Sequence, residues 1–167
     1  MTDNEKIFDK RVSVEQVEEG HTLAPKFDQD GLIPCITTSS QSGEVLMLGY
    51  MNKEALTKTI ETGEAHYWSR SRKLLWHKGA DSGLVQKVVE MRVDDDQDAV
   101  WIAVEVATTE QTGNKEASCH VGYRSCFYRE VPTGVNSDQP VALIYKEDEK
   151  TFDPQEVYGD VPNPTQL

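Results

Sequence analysis

Val85-Gln86-Lys87-Val88-Val89-Glu90-Met91-Arg92-Val93-Asp94, Asp95-Asp96-Gln97-Asp98 and Ala99-Val100-Trp101-Ile102-Ala103-Val104-Glu105-Val106-Ala107 form the stretch that decides the fold. Two runs rich in β-branched residues flank a short acidic link. β-branched side chains suit a pleated, half-buried surface, and so short a link leaves room only for a tight antiparallel hairpin. Strands over Val85–Asp94 and Ala99–Ala107 are therefore expected.

Upstream, Leu32–Ile36 and Val45–Tyr50 read as two more strands, because the Ser39–Gly43 segment between them has turn composition. Asn52 can cap a helix that carries Ala55, Leu56 and Ile60 and stops near Gly63. Ala65–Ser69 is a further short strand. Closer to the N-terminus, Ser13-Val14-Glu15-Gln16 has the form of a capping box, with the serine accepting from Gln16 and the glutamine bonding back to the serine amide. That predicts a helix over Val14–Glu19, with Gly20 ending it. Downstream, Thr108–Ser118 is a polar loop and Cys119–Glu130 carries the last motif of the core. Beyond Pro132 the composition shifts to Pro, Asp, Asn and Gln around one apolar patch, Val141–Tyr145. The expectation is an N-terminal arm with a short helix (1–25), a main domain (26–131) and an acidic extension (132–167) in which Val141–Tyr145 is one strand or a docking segment, followed by a loose tail. The class is α+β, mainly antiparallel strands with few short helices.

Composition excludes several partners. The 167 residues are 37% hydrophobic and 28% charged, as in globular domains. Seventeen basic against 29 acidic residues give a net charge of −12, which would repel a phosphodiester backbone, so nucleic acid is not an expected partner. No apolar run reaches the roughly 20 residues of a membrane span. Met1–Lys6 lacks the basic start and apolar stretch of a secretory leader, and the expectation is a cytoplasmic protein without membrane contact. Three cysteines, an odd number, argue against a disulfide framework.

Three constellations can carry chemistry. Asp94-Asp95-Asp96-Gln97-Asp98 crowds carboxylates that repel one another, and hard oxygens of this kind suit magnesium or calcium. In an extended chain Asp94, Asp96 and Asp98 fall on one side and Asp95 on the other. A solvated acidic turn is the alternative. Cys119-His120-Val121-Gly122-Tyr123-Arg124-Ser125-Cys126 combines two thiolates and an imidazole, donors that suit zinc, or else two buried cysteines beside a surface histidine. Cys35, in an apolar strand, reads as core. Ser69-Arg70-Ser71-Arg72-Lys73, with Lys78 further on, concentrates basic residues in an acidic chain beside Trp68 and Trp76. That suits a phosphate and a base, or a basic turn that balances surface charge.

Taken in this order, the segments resemble the phosphoribosyl-AMP cyclohydrolase family. The resemblance runs from about Gly31 to Tyr128 and rests on Gly43-Glu44-Val45-Leu46-Met47, Tyr50-Met51-Asn52, Ala65-His66-Tyr67-Trp68-Ser69-Arg70-Ser71-Arg72, Leu75-Trp76-His77-Lys78-Gly79, Cys119-His120 and Arg124-Ser125-Cys126-Phe127-Tyr128. It implies an intertwined homodimer with active sites at the interface, and hydrolysis of the adenine ring of phosphoribosyl-AMP at the C6–N1 bond during histidine biosynthesis. It implies magnesium on Asp94, Asp96 and Asp98, and zinc on Cys119 and Cys126 with a third ligand from the partner chain. His120 would serve as general acid/base or position the water, and Ser69, Arg70, Arg72 and Lys78 would bind substrate phosphate. His66 and His77 are weaker candidates, structural or substrate-contacting.

The chain departs from the family pattern at two places. Asp95 stands where the family has the third zinc-binding cysteine. A carboxylate is harder than a thiolate, so zinc affinity is expected to fall, or manganese or ferrous iron to compete better. Ala80-Asp81 follows Lys78-Gly79 where the family has a glutamate and then threonine or serine. The segment after Pro132 is too short for the helical pyrophosphohydrolase domain fused to some relatives, so a single activity is expected. Two other readings stand beside this one: the same reaction run on a non-zinc metal, and a metal- or nucleotide-binding module without turnover.

Overall fold

The computed structural model describes residues 7–136 and 138–167, so Met1–Lys6, read above for a leader, lies outside the described residues. The elements in chain order are α1 (Val14–Glu19), β1 (Ile33–Ser39), β2 (Val45–Met51), α2 (Lys53–Thr62), β3 (His66–Ser69), β4 (Leu74–His77), β5 (Gln86–Val93), β6 (Val100–Val106), β7 (Arg129–Glu130), β8 (Ile144–Tyr145) and α3 (Pro154–Tyr158).

The hairpin read from the central stretch is present. β5 pairs antiparallel with β6 from Gln86↔Val106 to Val93↔Val100, with a bulge between Val88 and Glu90. β1 and β2 form a second antiparallel pair, Ile33↔Met51 through Thr38↔Val45. The two pairs join through a parallel ladder between β1 and β6, giving one sheet of order β2-β1-β6-β5. Nothing local in the sequence specifies that parallel seam, because it joins strands far apart in the chain.

Ile33, Cys35, Leu46, Met51, Leu56, Ile102 and Val104 form the core and are almost completely buried. Each such aliphatic side chain contributes roughly 1.5–3 kcal/mol on leaving water. Cys35 is fully buried within this core, and burial pushes its thiol up to about 12. α2 forms as read: Asn52 accepts from the Ala55 amide at 2.8 Å, and Gly63 ends the helix in the left-handed region at φ 70°. β3 and β4 make a separate hairpin, His66↔His77 to Ser69↔Leu74, and β4 was not foreseen within the basic stretch. Gly49 lets that hairpin approach the sheet, since a Cβ there would collide with the Tyr67 ring.

Two expectations need correction. Ser13 caps α1 by accepting from Gln16, but Gln16 Oε1 accepts from Val12 N at 3.2 Å and its Nε2 donates to Lys10 O. The chain before the helix folds back toward the glutamine, so the reciprocal bond goes one residue upstream of the serine. The C-terminal extension, for its part, is not loose as far as α3. Phe152 is only 3% exposed and joins the core, and Val157 and Tyr158 pack against it. An apolar ring within an acidic tail has a strong reason to leave water.

Candidate active site

The cysteine loop is built from backbone bonds. Ser118 N donates to Arg124 O at 2.9 Å, Cys119 N to Tyr123 O at 3.2 Å and Gly122 N to Cys119 O at 3.0 Å. These bonds fold the chain back so that Cys119 and Cys126 lie close enough for their thiols to shift one another's titration. Gly122 sits at φ 107°, a conformation that disfavours any side chain, and a Cβ there would strike the Phe152 carbonyl. Cys126 N donates to Leu46 O at 2.7 Å, which ties the loop to β2.

Beneath the loop runs a buried polar relay that the sequence did not announce. Thr37 Oγ1 lies 2.7 Å from the Tyr67 hydroxyl, which donates to Gln86 Oε1 at 2.7 Å. Gln86 Nε2 in turn reaches Ser118 Oγ at 3.2 Å. Thus β1, β3 and β5 all lead to the residue before Cys119. Buried groups must be partnered, and this relay satisfies each of them while setting the loop height. Tyr67 and Gln86 fall in strand stretches where their polarity gives no sequence signal of a shared network.

Lys78 also points into this region. It is 2% exposed, its Nζ donates to Ser118 O at 2.9 Å, and it lies 4.8 Å from the centre of the Trp76 ring. Burial lowers its pKa to about 8, while the neighbouring Cys126 and Cys119 sulfurs pull the other way. The Cys119 thiol is lowered to about 6, chiefly by the bond from Cys126 and further by the Lys78 charge. Cys126 shifts upward because it keeps the shared proton. The pair thus titrates as a unit in which one sulfur is a thiolate first.

His120 is half-buried, and burial draws its pKa down against the opposing bond from Asn163. Its Nε2 lies 3.5 Å from Thr165 Oγ1, so the end of the C-terminal extension passes over the ring.

The aspartate segment is a turn and not an extended strand end, which overturns the alternation expected above. Gln97 adopts φ 57°, and the bend brings one oxygen each of Asp94, Asp95 and Asp96 within 4.8 Å of one another. Asp95 therefore joins its neighbours and does not face away. Asp98 is not part of that group of three, and its carboxyl is raised to about 6, chiefly by Asp96 and then by Asp94. Asp94 Oδ1 accepts from the amides of Asp98 at 3.0 Å and Ala99 at 3.1 Å. Crowded carboxylates that must share a proton are a donor set suited to a hard cation.

The N-terminal arm holds this turn. Gln97, 5% exposed, accepts from Ala24 N at 2.8 Å and donates to Val17 O at 2.9 Å. Arg11 Nη2 donates to Asp96 O at 2.9 Å. Gln97, the one uncharged residue of the acidic run, is the buried anchor of the turn.

The basic residues divide. Arg70 lies over the Tyr50 ring at 3.9 Å, and Arg72 bonds Ser69 Oγ through its Nε at 3.4 Å, both on the exposed tip of the β3–β4 hairpin. Among the described residues no carboxylate pairs with either guanidinium, so both forks are open. Lys78 does not lie with them, because its head is spent on Ser118. His66 and His77 stack at 4.3 Å, and Glu64 holds both: its carbonyl oxygen lies 2.8 Å from His66 Nδ1 and its carboxylate 2.8 Å from His77 Nε2. That arrangement secures the hairpin base.

Two thiols that titrate as a pair fit a thiophilic divalent ion. Among the described residues, however, Cys119 and Cys126 gather no third His, Cys, Asp or Glu atom into a cluster within one chain; the only such cluster is the aspartate turn. Among the described residues no helix is long and apolar enough to cross a membrane.

Residues 47–128 match the family model described as phosphoribosyl-AMP cyclohydrolase. The chain is similar to a phosphoribosyl-AMP cyclohydrolase of Rhodopseudomonas palustris, at 53% identity over 148 residues, covering 89% of this chain and 92% of the relative. A second R. palustris strain has one 55% identical over 145 residues, covering 86% and 92%. One from Nitrobacter hamburgensis is 51% identical over 142 residues, covering 85% and 90%.

Proposed function

The chain belongs to the phosphoribosyl-AMP cyclohydrolase family, and from that premise we propose that it opens the adenine ring of phosphoribosyl-AMP by metal-dependent hydrolysis in histidine biosynthesis. Water adds its oxygen to C6, the C6–N1 bond breaks, N1 takes up a proton, and the formimino-carboxamide ribonucleotide leaves. The observation that carries the reading is the Cys119–Cys126 pair, brought together by a loop whose backbone bonds are internally satisfied.

Cys119 and Cys126 would hold a transition metal, zinc in the first instance, and Asp94, Asp96 and Asp98 would hold magnesium. A divalent ion on the sulfurs supplies Lewis-acid activation of water. Two sulfurs leave such an ion short of the three protein ligands usual in a catalytic site. Asp95 of the partner subunit would complete the set in a homodimer with its active sites at the interface. The ordered half of the chemistry belongs to the protein's own groups. Ser118, gripped by Lys78 and Gln86, sets the position of Cys119. His120, whose pKa burial draws down, would take a proton from the incoming water and return it to N1. Arg70, Arg72 and Ser69 would bind the substrate phosphates, since their donors are exposed and their forks open.

Asp95 favours a second reading: the same reaction on a harder ion, because a carboxylate replaces the thiolate donor. Ring opening of phosphoribosyl-AMP by metal-free protein, reconstituted separately with zinc, manganese or ferrous iron and always with magnesium, decides between them. Turnover with zinc supports the first, and turnover only with manganese or iron supports the second. Nucleotide binding without ring opening under every metal would instead mark a binding module.

A further inference from the structure

The acidic segment after Pro132 reaches into the cysteine loop at one point. Glu147 Oε1 accepts from Arg124 N at 3.0 Å, and its Oε2 accepts from Ser125 N at 3.1 Å. One carboxylate therefore spans two consecutive amides, those immediately before Cys126. The next amide, that of Cys126, is held by Leu46 O on β2. Charge-assisted bonds of this kind are stronger than neutral ones, and two on adjacent amides fix the peptide plane between them.

Glu147 is itself fixed from both sides. On its N-terminal flank β8 pairs with β7, Arg129↔Tyr145, and Lys146 N donates to Tyr128 O at 2.8 Å. On its C-terminal flank Thr151 N donates to Gly122 O at 2.7 Å, and Phe152 is buried. The strap thus crosses the loop with its two ends anchored and one carboxylate turned inward. Lys146, the neighbouring residue, turns outward to a surface bridge with Glu130 at 3.0 Å.

We propose that Glu147 is a positioning residue for the metal-binding loop: it fixes the peptide planes at Arg124 and Ser125 and so aims the Cys126 sulfur at Cys119. The acidic extension is then a working part of the site. This rests on the reading of Cys119 and Cys126 as metal ligands. Partners that orient ligands in this way typically govern metal affinity by about 10–100-fold.

The test uses full-length Glu147→Ala, Glu147→Gln and Lys146→Ala. Two quantities are read: the alkylation rate of Cys126 by iodoacetamide in metal-free protein, located by mass spectrometry, and zinc affinity by competition with a chromophoric chelator. Glu147→Ala should alkylate several-fold faster at Cys126 and bind zinc at least about tenfold more weakly. Glu147→Gln, which keeps a carbonyl acceptor, should fall between it and wild type. Lys146→Ala should match wild type in both. Wild-type behaviour of Glu147→Ala overturns the proposal, as does Lys146→Ala behaving like Glu147→Ala. If wild type binds no zinc, the metal reading fails, while the alkylation rates still decide the role of Glu147.

Discussion

At the aspartate turn the group that reaches across belongs to the site: Gln97 extends from the turn into the N-terminal arm and bonds the backbone of Val17 and Ala24. At the cysteine loop the reaching group belongs to the terminal segment, where Glu147 extends from the C-terminal strap and bonds the backbone of Arg124 and Ser125. Gln97 is buried and Glu147 only partly so. A buried amide with both ends partnered is expensive to remove wherever it lies. A partly buried carboxylate bonded to two loop amides acts mainly on local geometry. The two ends of the chain therefore do unlike work. The N-terminal arm contributes stability through Gln97, whereas the strap draws its stability from Phe152 and its effect on the site from Glu147.

The largest effect that would break this comparison is expected at Phe152. Phe152→Ala empties a core position and should cost about 3–5 kcal/mol in denaturant unfolding. A loss below about 1 kcal/mol, the ordinary effect of a point substitution, would show the strap to be peripheral. Next comes Gln97→Ala, which strands the Ala24 amide and the Val17 carbonyl. Each buried orphan costs about 1–3 kcal/mol, so the expected destabilisation is at least about 2 kcal/mol, measured in the same way. Should Gln97→Ala be neutral while Glu147→Ala unfolds the protein, the assignment of roles to the two ends would be reversed.

The smallest effect concerns the β3–β4 hairpin, which neither end braces. Burial lowers the His66 pKa from its ordinary 6.5. The unfolded chain then binds a proton that the folded one resists, so stability is fully present above about pH 6.5 and falls as the pH drops through it. His66→Gln should flatten the difference in unfolding midpoint between about pH 7.5 and 5.5. An unchanged slope would locate the acid sensitivity elsewhere, for instance in one of the two braces.

Local signals carried most of the fold. The hairpin at Val85–Ala107, the Asn52 and Gly63 ends of α2 and the Ser13 cap of α1 each follow from residues near in sequence. The parallel seam of β1 and β6 does not, because periodicity tells which faces are buried and not which distant strand pairs. The same division holds at the site. Cys119, His120, Cys126 and the aspartates stood out as dense clusters of donors. Gln86, Tyr67, Gln97 and Glu147 did not, since each is a lone polar residue whose partner lies on another element. Phe152 was hidden by the polar composition around it. Lys78 carried a charge that grouped it with Ser69, Arg70 and Arg72 as a phosphate-binding residue, and nothing local in the sequence signals that its head reaches Ser118 and lies against Trp76.

The central claim is that one site uses both braced segments, the cysteine loop and the aspartate turn. Ring opening of phosphoribosyl-AMP by wild type, Cys126→Ser and Asp94→Asn, with the metal content of each protein determined alongside, tests it most directly. The account predicts that wild type turns over, that Cys126→Ser loses its transition metal, that Asp94→Asn binds magnesium more weakly, and that both variants fall by more than about 100-fold in rate. Cys126→Ser turning over at the wild-type rate would contradict it.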